Sequence, residues 1–98
     1  MAKKIEWTEA SLRDRFDIYR YWSERNKSDS YSERLELLFD EAAELIAQFP
    51  ETGRETDFPN LRIKVIKHFK LYYLNQEETI QIVRVWDARR NPDSLRLS

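Results

Sequence analysis

The chain has 98 residues, of which 41% are hydrophobic, 13% aromatic and 36% charged, with no cysteine. That is one domain's worth of chain with enough apolar surface for a packed interior, and it leaves no room for disulfides or thiolate chemistry. No apolar stretch approaches the roughly 18 residues of a bilayer span, and the N-terminus is charged where a signal peptide needs an apolar run, so a cytoplasmic protein with no membrane role is expected. A net charge of −1 argues against a general nucleic-acid binder, yet the halves differ: residues 1–53 carry 8 Lys/Arg against 12 Asp/Glu, and residues 54–98 carry 9 against 6.

Residues 3–7 alternate, Ile5 and Trp7 against Lys4 and Glu6, which predicts a strand with one buried face. Thr8 is a good N-cap, and Glu9 just inside suits the helix dipole. Leu12, Phe16, Tyr19 and Trp22, with Ile18, then predict the apolar stripe of a helix running to about Arg25. Residues 26–29 are polar and predict a turn. Ser30 and Glu33 have the spacing of a capping box. Leu35, Leu38, Phe39, Ala42, Leu45, Ile46 and Phe49 follow at helical spacing until Pro50 ends the ladder. The short connection predicts an antiparallel pair of helices.

Residues 51–60 hold the only glycine, Gly53, and read as an irregular link. After it the apolar period changes from helical to alternating. Leu61, Ile63 and Val65 oppose Arg62 and Lys64 on one strand. Residues 69–74 form a second strand after a tight turn near Lys67 and His68. Residues 79–86 form a third, apolar on both faces as a central strand is. The tail, 87–98, is polar. Short turns make these three strands antiparallel, and the first strand joins the sheet at an edge. The expected architecture is one α+β domain over residues 1–98, with an N-terminal strand and a helical hairpin packed on a small antiparallel sheet.

Several chemistries are excluded. One glycine cannot build a phosphate-cradling loop. One histidine without cysteine cannot build a zinc site, and no metal or cofactor is expected. No nucleophile elbow surrounds any serine. What remains is a basic constellation on the sheet. Residues 59–76 contain Arg62, Lys64, Lys67 and Lys70 and no acid, and Arg84, Arg89 and Arg90 lie on or just after the last strand. Such cations hold phosphates and stabilise charge in phosphoryl transfer. Tyr72 or His68 would handle a proton or stack on a base. Against this stands ordinary strand packing, the simpler account of Tyr73 and Trp86.

Taken in order, Ile5 to Thr8, the segment from Leu45 through Pro50 and Gly53 to Arg54, Leu61-Arg62, Tyr72-Tyr73 and the run from Ile80 through Trp86, Arg89 and Arg90 to Pro92 resemble the RelE/ParE family of bacterial type II toxins. The resemblance covers nearly the whole chain. It implies a RelE/ParE-like fold and a plasmid-stabilisation or growth-arrest toxin neutralised by a small cognate antitoxin, which would cover the sheet or groove. RelE-like members are metal-independent endoribonucleases that cut mRNA at the ribosome; ParE-like members poison DNA gyrase and are not nucleases. For cleavage, Arg62, Tyr72 and Arg89 are the candidate catalytic residues, and Lys64, Lys67, Lys70, Arg84 and Arg90 the candidate nucleic-acid or target contacts. The C-terminal residues depart from the nuclease pattern, because no histidine or tyrosine follows Arg90. A degenerate, non-toxic member acting as an antitoxin-binding regulator is the alternative.

Overall fold

A computed structural model describes residues 2–89. Strand β1 (Lys4–Trp7) leads into helix α1 (Glu9–Asn26), α2 (Ser30–Gln48) returns beside it, and β2 (Arg54–Glu55), β3 (Leu61–Ile66), β4 (Phe69–Asn75) and β5 (Thr79–Asp87) follow. The helices pack on one five-stranded mixed sheet in the order β1-β5-β4-β3-β2. The expected α+β architecture is therefore present. The late strands are antiparallel neighbours, and β1 lies at the edge, parallel to β5, with Lys4 opposite Thr79 and Trp7 opposite Ile82.

Thr8 caps α1 as its sequence position predicts, its Oγ1 accepting from Ser11 N–H at 3.1 Å. The stripe predicted for α1 is displaced around the helix. Its buried residues are Ser11, Arg15, Ile18 and Trp22, whereas Leu12 and Phe16 are 50% and 61% exposed. Arg15 fits at a buried position because of what surrounds it. Its guanidinium reaches Glu36 at 2.7 Å and Asp40 at 3.0 Å and lies 4.4 Å from the Trp7 ring centroid, so charge, donors and stem are all satisfied. The capping box of α2 is likewise replaced: Asp29 is the N-cap, without a side-chain cap bond, and Ser30 N–H donates to Ser28 Oγ instead.

The core joins Ile18, Trp22, Leu35, Phe39 and Ile46 of the helices to Phe69, Leu71, Tyr73, Ile80, Ile82 and Val85 of β4 and β5. A bulge shifts the β4–β5 register between Tyr72 and Tyr73. It adds one residue to β5, so Ile80 and Ile82 before it and Val85 after it all turn toward the helices despite the break in alternation. Because β1 stops at Trp7, opposite Ile82, the second half of β5 is paired with β4 on one side and has no strand on the other. Asp14 of α1 fills that place. Its carboxylate accepts Val85 N–H at 2.9 Å and holds Arg84 through bonds of 2.7 and 3.0 Å.

Candidate functional site

Strand pairing assigns each candidate to a face of the sheet. Directly paired residues share a face, and alternate residues along a strand do not. Arg62 pairs with Tyr73 and Lys64 with Leu71, so both cations lie on the helix side, beside the core. Tyr72 pairs with Ile63 and Arg84, and Lys70 with Val65 and Trp86; these form the opposite face.

On the helix side, Arg62 and Lys64 meet the link that leaves α2. The Arg62 guanidinium donates to Gly53 O at 2.7 Å and Glu51 O at 3.3 Å and stands 3.5 Å from the Glu55 carboxylate. The Lys64 ammonium donates to Thr52 Oγ1 at 3.0 Å. Fully buried Tyr73 completes the clasp, its hydroxyl donating to Pro50 O at 2.7 Å and accepting Gly53 N–H at 2.9 Å. Burial pushes the Tyr73 phenol above its ordinary value, only partly offset by the bond from Gly53 and the Arg62 charge. It therefore stays a neutral donor. Gly53 is needed for room rather than for backbone freedom: a Cβ there would stand 2.6 Å from the Tyr73 hydroxyl oxygen and 3.0 Å from Ile63 O.

On the opposite face, Tyr72 is buried and Arg84 is drawn into its bidentate pair with Asp14, which raises the guanidinium pKa. Lys70 is half-buried, and Lys67 is exposed in the hairpin turn with φ of 55°. Arg89 belongs to a third location, at the end of β5. Its N–H donates to Asp87 Oδ1 at 3.1 Å, and its guanidinium sits 5.7 Å from the Trp22 ring centroid. Arg90 lies outside the described residues.

The three candidate catalytic residues are thus not brought together. Arg62 and Tyr72 are on opposite faces. The positions of Arg62 and Asp87 on β4, opposite Tyr73 and Phe69, are about 13 Å apart along the strand, which separates Arg89 from Arg62 as well. What the sheet end does bring together is His68, Asp87, Trp22 and Arg89. Buried Asp87 accepts Trp22 Nε1–H at 2.8 Å, and His68 Nε2 lies 3.6 Å from its other oxygen, buried and without a hydrogen bond. Burial lowers the His68 pKa, opposed by Asp87 and aided by Arg89 and Lys67. The Tyr73–Gly53 clasp and the Asp14 edge bond were not read from the sequence. The signals available were Gly53 standing alone and an acid on the sheet-facing side of α1.

Among the described residues no group of three or more His, Cys, Asp or Glu could hold a metal ion. No helix there is long and apolar enough to cross a membrane.

Comparison with known proteins agrees with this architecture. The chromosomal ParDE toxin–antitoxin system of P. aeruginosa contains a chain that superposes with a TM-score of 0.74 at 18% identity, covering 86% of this chain and 94% of that one. The E. coli DinJ-YafQ toxin–antitoxin complex gives a TM-score of 0.52 at 12% identity, over 93% and 98%. At such identities the likeness is one of fold. A comparison with curated protein sequences finds no match. The family model for the ParE toxin of the type II toxin–antitoxin system parDE matches residues 5–92. With that match running from β1 past the end of β5, the chain belongs to the ParE toxin family.

Proposed function

We propose that this protein arrests bacterial growth by binding and poisoning DNA gyrase, and that a cognate antitoxin holds it inactive by covering the sheet. The observation that carries the reading is the separation of Arg62, Tyr72 and Arg89. General acid–base cleavage of RNA needs proton-transferring and charge-stabilising groups within hydrogen-bond reach of one phosphate. Here Arg62 is spent on the carbonyls of the Glu51–Gly53 link. Tyr72 lies on the other face, and Arg89 beyond the far end of β5. A protein that acts by binding has no need of such convergence. Placement beside gyrase in the cytoplasm follows from this reading.

The experiment adds purified protein to a gyrase supercoiling reaction and, in parallel, maps RNA ends after induction in bacteria. Loss of supercoiling or accumulation of cleaved DNA, with intact transcripts, supports the proposal. Fresh cuts in translated mRNA with normal supercoiling would replace it with ribosome-dependent cleavage. Robust growth under induction would leave an antitoxin-binding regulator.

A further inference from the structure

The described arginines divide by what they face. Arg13, Arg15, Arg20, Arg62 and Arg84 each pair with a carboxylate. Among the described residues no carboxylate pairs with Arg25, Arg34 or Arg89, and these three meet at one end of the molecule. Arg25 lies in the last turn of α1 with its guanidinium 5.9 Å from the Trp22 ring centroid, and Arg89 approaches the same ring to 5.7 Å. The Tyr31 ring stands edge-on to Trp22 at 5.4 Å and has Arg34 5.8 Å from its own centroid. Burial raises the Tyr31 phenol and Arg89 and Arg34 oppose that rise, with Asp87 adding to it, so both guanidinia act on one ring. Lys67 joins them from the β3–β4 turn, where it and Arg89 both bear on the His68 imidazole that burial already keeps neutral.

All four cations are exposed. The carboxylate set among them, Asp87, is buried and turned inward, accepting Trp22 Nε1–H at 2.8 Å and Arg89 N–H at 3.1 Å, so it offsets one charge of the four. Asp29 and Glu33, at the start of α2, lie toward Tyr19, whose phenol is raised by burial and then by them. The cluster has no large exposed apolar side chain. A protein partner would need such an anchor at the centre of its contact, whereas a polyanion needs only the charges.

We propose that this end of the molecule grips the phosphate backbone of duplex DNA through Arg25, Arg34, Lys67 and Arg89. Unpaired bases would stack on open ring faces, but Trp22 is 8% exposed and already flanked by two guanidinia and two other rings. What reaches solvent is the guanidinium forks and an ammonium, the groups that hold phosphate oxygens without reading sequence. The inference rests on the gyrase reading only for the source of the DNA, the segment that gyrase engages.

The test titrates the full chain, without gyrase, into a fluorescent duplex of about 20 base pairs at about 50 mM salt, where anisotropy should show binding in the range of about 1–100 μM. Four phosphate contacts predict a slope of log affinity against log salt of about −3 to −4. Arg25→Gln with Arg34→Gln should flatten that slope by about 2 and weaken binding by about tenfold or more. Arg13→Gln with Arg54→Gln changes net charge equally at a distance from the cluster and should leave the slope as it is. All four residues are exposed, so both double variants should keep the wild-type melting temperature. No binding up to about 1 mM, equal losses in the two double variants, or equal affinity for polyglutamate or a single-stranded RNA of the same charge would each overturn the proposal. Because gyrase is absent, such a failure leaves the supercoiling result standing, and a failure of the gyrase reading leaves duplex binding to be measured on its own.

Discussion

Arg62 shows how a residue's surroundings decide its chemistry. As a strand cation it is a phosphate ligand in waiting; beside Gly53 and Glu51 it is a strut for the link between layers. Arg62→Ala is therefore expected to destabilise the protein by about 1–3 kcal/mol, since the carbonyls it serves lose a charge-assisted donor, and urea unfolding measures the loss. Any fall in toxicity of that variant has to be normalised to folded protein. Tyr73→Phe removes both bonds to the link and should lose a similar amount. Gly53→Ala should lose more, because its Cβ meets Tyr73 and the β3 backbone at once. At the sheet end, burial holds the His68 pKa below its ordinary 6.5. The unfolded chain then binds more protons than the folded one between the two values, so stability is full above about pH 7 and falls as pH drops through 6.5 toward the lowered value. Urea midpoints at pH 7.5 and 5.5 should differ in that direction, and His68→Gln should flatten the difference.

At the scale of elements, α2 and the three late strands were legible because their apolar periods were unambiguous, Leu35, Phe39, Ala42 and Ile46 at helical spacing and Leu61 to Ile66 alternating. The stripe of α1 misled. Aromatic residues at i+3 and i+4 mark one side of a helix, but which side is buried depends on what lies opposite. Arg15 takes a core position only because Glu36 and Asp40, 21 and 25 residues away, receive it. Such partnerships are long-range and leave no local trace, and the same holds for Tyr73 with Gly53 and for the two residues of β2. Of the candidate site, the basic strand positions were legible, but their division between two faces became visible only with the pairing register. Asp14 tests the reading of the β5 edge. Asp14→Ala strands both Arg84 and the Val85 N–H and should lose about 2 kcal/mol, whereas Asp14→Asn keeps an acceptor and should lose less. Denaturant unfolding distinguishes them.

At the scale of the molecule, the helical layer, residues 9–48, carries 6 Lys/Arg against 10 Asp/Glu, and the segment of strands β2 to β5, residues 54–89, carries 7 against 5. The two layers thus offer partners opposite electrostatic faces, an acidic hairpin and a more basic sheet. Binding on the sheet side and on the hairpin side should consequently respond to different partner charges, and both should weaken with added salt.

The parallel pairing of β1 with β5 has a consequence for synthesis. Lys4 meets Thr79 and Trp7 meets Ile82, so β1 cannot be seated until β5, far later in the chain, is available. Chains emerge N-terminus first and gain their non-local contacts only when both partners exist. A nascent or prematurely ended copy therefore has no completed sheet to offer. A chain truncated after Glu78 lacks the strand that both β1 and β4 pair with; it should show no cooperative melting transition and, under the proposed function, should cause no arrest on induction.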